Sequence, residues 1–122
     1  MKNSGIKIKI LVLENQYSVE VNKLLEKVSD EVKVVKTLED LEKISPEDFY
    51  PNFVILNYHL PPKTEEKQKS IENSLKIAKQ KWPKAIIFVS FAESPMELFR
   101  FIYYATVGIT ILFSNDPYLN QN

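Results

Sequence analysis

The stretch Phe53-Val54-Ile55-Leu56-Asn57-Tyr58-His59-Leu60-Pro61-Pro62 constrains the fold more than any other part of the chain. Its four leading apolar residues do not alternate with polar ones, so both faces of the segment have to be buried, as in a central strand of a parallel sheet. Pro61 and Pro62 end it, because neither can donate a ladder hydrogen bond. Asn57 therefore falls where a central strand opens into a loop at its carboxyl end. In open parallel sheets, that edge carries the sites.

The rest of the chain alternates between strand-like and helix-like patterning. Ile6–Leu13 starts with an alternating pattern and becomes wholly apolar, which suits a first strand entering the middle of a sheet. Val21, Leu24, Leu25 and Val28 recur at helical spacing, and the β-branched run Val32–Lys36 follows as a second strand. Leu38, Leu41 and Ile44 mark a short second helix that has to stop before Pro46. Residues Glu65–Lys81 read as a third helix, with Ile71, Leu75, Ala78 and Trp82 on one side and Pro83 as its stop. Ala85–Ser90 is a fourth strand. Ser94-Pro95 is a capped helix start, predicting a fourth helix to about Thr106. Gly108 then reads as a turn, and Ile109–Phe113 as a fifth strand.

A chain of 122 residues with this series forms one domain, residues 1–122, without repeats or linkers. The periodicity by itself gives an α/β protein with a parallel sheet. Formal net charge is zero, so binding to nucleic acid or to an anionic membrane is not expected. Seven lysines against Glu65, Glu66 and Glu72 over residues 63–84 read as a solvated helix face. Cysteine is absent, which removes disulfides and thiolate metal sites. No apolar run approaches the ~20 residues of a membrane span, and the first residues lack the apolar core of a signal peptide. A soluble, cytoplasmic protein is expected.

Leu56-Asn57-Tyr58-His59-Leu60-Pro61 resembles the Leu-Asp-x-x-Leu-Pro segment of receiver domains, the phospho-accepting modules of bacterial response regulators in two-component signal transduction. The resemblance implies a flavodoxin-like (receiver-like) five-stranded parallel sheet of order 2-1-3-4-5 with helices on both faces. It also implies a missing fifth helix, because only Tyr118–Asn122 follow Pro117. One sheet face is then expected to be under-covered. Asn57 stands where the family has its phosphorylated aspartate. Glu14 and Asn15 match the acidic pair that holds Mg²⁺, and Ser90 matches the phosphate-contacting hydroxyl. The family's lysine falls at Asn115 or, with one insertion, Asp116, and its switch aromatic at Phe113, or at Leu112 without the insertion.

Nucleophile, one carboxylate and lysine are all replaced, so this is expected to be a degenerate receiver, neither an enzyme nor a phosphoacceptor, with no metal or cofactor. His59, the one histidine, reads as an exposed loop residue. The implied function is phosphorylation-independent protein–protein interaction. Its interaction face comprises Phe99, Phe101, Tyr103 and Tyr104 on the fourth helix and Phe113 on the fifth strand, and the partner is either another protein or a second copy. The alternative is a small-molecule sensor using a polar crevice of Glu14, Asn15, Asn57, His59 and Ser90.

Overall fold

The structure, a computed structural model, describes residues 8–29 and 31–114. Eight elements follow in the order β1 (Lys9–Leu13), α1 (Ser18–Leu25), β2 (Glu31–Val35), α2 (Leu38–Lys43), β3 (Phe53–Asn57), α3 (Glu65–Lys81), β4 (Ile86–Ser90) and α4 (Pro95–Ser114). The strands form one parallel sheet of order β2-β1-β3-β4. β3 is buried at all five positions, as its unbroken apolar run requires.

Two cores lie on opposite faces of the sheet. On one, Val21 and Leu25 of α1 and Leu98 and Ile102 of α4 pack over Ile10, Val12, Phe53 and Ile55. On the other, Leu41 of α2 and Ala78 and Trp82 at the end of α3 pack over Leu11, Leu13, Val54 and Leu56. The indole of Trp82 is fully buried and donates to the Phe49 carbonyl (3.0 Å), so its polar atom costs nothing in the apolar layer. Side-chain caps start three of the helices. Thr37, Thr64 and Ser94 accept from the backbone amides of Asp40, Lys67 and Glu97.

Two expectations fail at the C-terminal end. No fifth strand forms over Ile109–Phe113, because α4 continues unbroken to Ser114, and Phe113 lies in its last turn. Gly108 does not stop the helix; a lone glycine weakens a helix by about 1 kcal/mol relative to alanine without ending it. Nor is a sheet face left bare: α4 packs beside α1 on one, and α2 and α3 cover the other, while Tyr118–Asn122 lie outside the described residues.

One placement explains both outcomes. The step from β1 to β2 runs one way across the sheet with α1 on one face. The steps from β2 to β3 and from β3 to β4 run the other way with α2 and α3 on the opposite face, so all three have the same hand. A parallel strand outside β4, reached through a helix on the α1 face, would need the opposite hand, which occurs in only about 2% of crossovers. With 20 residues, α4 is about 30 Å long, against about 17 Å for a five-residue strand.

The two sheet edges differ. β2 exposes Glu31 and Lys33, and Lys9 pairs with Glu31 at 3.8 Å. Charges of this kind discourage further strand pairing. β4 carries none, Ile86 is 40% exposed, and no strand among the described residues pairs with its outer edge. No helix among the described residues is long and apolar enough to cross a membrane.

Candidate functional site

The carboxyl ends of β1, β3 and β4 bring Glu14, Asn57 and Ser90 together. Asn57 and Ser90 are register partners, and Glu14 follows directly on β1. All three are buried, Glu14 to 1% exposure. The Asn57 amide nitrogen donates to Glu14 Oε1 (2.7 Å) and to the Ala92 carbonyl (3.1 Å). Its amide oxygen accepts from Ser90 Oγ (2.8 Å) and from the Ala92 backbone amide (2.9 Å). Both donors and both lone pairs of the side chain are thereby used.

Glu14 is equally engaged. Its Oε2 accepts from the backbone amides of Gln16 (3.0 Å) and Tyr17 (2.8 Å), in the turn that leads into α1. His59 Nε2 lies 2.7 Å from the same oxygen. A carboxylate only accepts, so Nε2 carries the proton. His59 is thus not the exposed loop residue expected; it is half-buried, with its ring edge-on to Tyr17 at 5.5 Å. Three N–H donors and the adjacent imidazole compensate the carboxylate for its lost hydration. Among the described residues, no buried side-chain nitrogen or oxygen lacks a partner.

Asn57 and Ser90 do not make a nucleophile–base pair. An amide nitrogen offers no nucleophilic lone pair, and Ser90 donates to an amide oxygen, which is no general base. Mg²⁺ needs oxygen ligands, usually with one or two carboxylates free to bind it. The single carboxylate has both oxygens occupied, and its neighbours Asn57 and Asn15 are neutral, so the residues do not fit that ion. No cluster of three His, Cys, Asp or Glu suited to a metal occurs among the described residues.

Asn15 is exposed and separate from the network, at the rim of a neighbouring cleft. Asn115 and Asp116 lie outside the described residues. Of the expected polar crevice, Asn15, Asn57 and His59 line this cleft, whereas Glu14 and Ser90 are not in its lining and bond to Asn57 behind it. Sequence reasoning reached Asn57 and Ser90 as polar strand ends and Glu14 through the resemblance to receiver domains. It missed Ala92, which takes part through its main chain and leaves no side-chain signature.

On α4, Leu98, Ile102 and Thr106 form the buried stripe at intervals of four. Phe99 packs partly against the same core and stacks with Tyr103 at 5.9 Å. Phe101 sits edge-on against Phe88 of β4 at 5.6 Å, and Tyr104 is 67% exposed. All five residues of the expected face thus lie on α4, with Phe101 against β4 and no fifth strand alongside.

Comparison with protein-family models, with curated proteins and with solved structures finds no match for this chain.

Proposed function

We propose that this chain is a receiver-like signalling module of flavodoxin-like type whose output is a protein contact that phosphorylation does not gate. One observation carries the reading. At the sheet edge where a receiver would hold its reactive aspartate, Asn57 has every polar atom bonded to Glu14, Ser90 or Ala92. The group there supports structure and leaves nothing to react.

The contact surface is the outer side of α4 together with the free edge of β4. Phe101, Tyr103 and Tyr104 are exposed on α4, and Ile86 is exposed on β4, a strand without charge. Uncharged edge strands pair readily, and aromatic residues are enriched in interfaces. Each large apolar side chain fully buried there contributes about 1.5–3 kcal/mol before the cost of association.

Size-exclusion chromatography with light scattering tests this. A dimer is expected at micromolar concentration, unaffected by acetyl phosphate and weakened by Tyr104→Glu. Tyr104 is the cleaner position, since the Phe101 ring also packs on Phe88. A dimer that appeared only after acetyl phosphate treatment would contradict the reading. A monomer would leave a different protein as the partner, whose binding has to respond to the same substitution.

A further inference from the structure

Next to the closed network the surface opens into a cleft of about 480 Å³, between the ends of β1 and β3, the start of α2 and the first turns of α3. That is within the ~300–1,000 Å³ usual for small-ligand sites. The cleft lies where strand order reverses, β1 leading outward to β2 and β3 continuing on its other side, which is where open α/β sheets bind ligands.

Its lining has two parts. Leu13, Leu38, Ile71 and the ring of Tyr58 supply apolar wall. The Tyr58 hydroxyl donates to Ser74 Oγ, which in turn donates to the Ile71 carbonyl (2.7 Å). The ring is therefore held in place and offers the cleft only its carbon surface. The charged part is Lys36, from the loop after β2, and Lys67, from α3. No Asp or Glu lines the cleft, and neither lysine forms an ion pair among the described residues.

We infer that this cleft binds a small organic anion, an aromatic or aliphatic body carrying an acidic oxygen group that Lys36 and Lys67 hold. Thr37 and Ser70 add hydroxyls near the lysines. Asn57 and His59 also line the cleft, but the two lysines hold the ligand without them, so the site stands whether or not the chain signals through α4.

A matched pair of fluorescent probes tests it on the full chain: anilinonaphthalene sulfonate, and the uncharged N-phenylnaphthylamine of nearly the same shape. The sulfonate is expected to bind saturably at one site, at least tenfold tighter than the neutral probe. Lys36→Glu with Lys67→Glu should abolish that difference, while the equal charge change Lys79→Glu with Lys84→Glu should preserve it. Ser70→Trp, at an exposed helix position, should fill the cleft and displace both probes with the circular dichroism unchanged. Equal affinity for the two probes, or sulfonate binding indifferent to the cleft lysines, would overturn the inference.

Discussion

The Asn57 side-chain nitrogen donates to Glu14 Oε1 across 2.7 Å of buried space, joining the ends of β3 and β1. That contact requires an amide at position 57. An aspartate would set a second carboxylate against Glu14 and against the Ala92 carbonyl, both of which now accept from Asn57. Asn57→Asp is therefore expected to destabilise the fold by about 3 kcal/mol, the scale of an unpaired buried charge. Urea denaturation measures it. A variant as stable as the parent would mean that the network is open to solvent.

Position 108 reports the fate of the chain after α4's buried stripe. Inside a continuous helix, Gly108→Ala is expected to raise stability by about 0.5–1 kcal/mol, since alanine is the better helix former and restricts the unfolded chain. If Gly108 instead formed a turn with positive φ before a strand, the same change would be destabilising. Thermal denaturation distinguishes the signs.

Much of this was legible in the sequence, and what was not has physical causes. Phe53–Asn57 and Glu65–Lys81 were readable to the residue, because an unbroken apolar run between prolines and a capped amphipathic stretch each fit one conformation. Asn57 and Ser90 were readable as strand-end polar residues, and Glu14 only through the resemblance to receiver domains. Ile109-Thr110-Ile111 after Gly108 misled because β-branched residues favour strands locally, whereas the outcome depends on which sheet face α4 occupies. That choice is tertiary, and so is the approach of Ala92 and His59 to the network. Lys36 and Lys67 drew no notice as cleft residues, being 31 positions apart on separate elements.

Tyr58 gives a pH-dependent signature. Burial raises its pKa above 10.0, and the hydrogen bond with Ser74 only partly offsets this. The folded state holds the neutral phenol, so the associated stability is fully present below about pH 10 and is lost as pH rises through the raised folded pKa. In an alkaline absorbance titration, one phenolate component is expected to appear late and to vanish in Tyr58→Phe. An identical titration curve for the variant would contradict a buried Tyr58.

The most direct test of a closed, unreactive site is intact-mass spectrometry after incubation with acetyl phosphate and Mg²⁺, on both the parent chain and Asn57→Asp. Expected is an unchanged mass for both, because the parent has no nucleophile and the variant still has neutral Asn15 where a receiver has its second acidic residue and no lysine at Asn115 or Asp116. A stoichiometric, acid-labile phosphoryl adduct on the parent, or rapid phosphorylation of the variant, would contradict it.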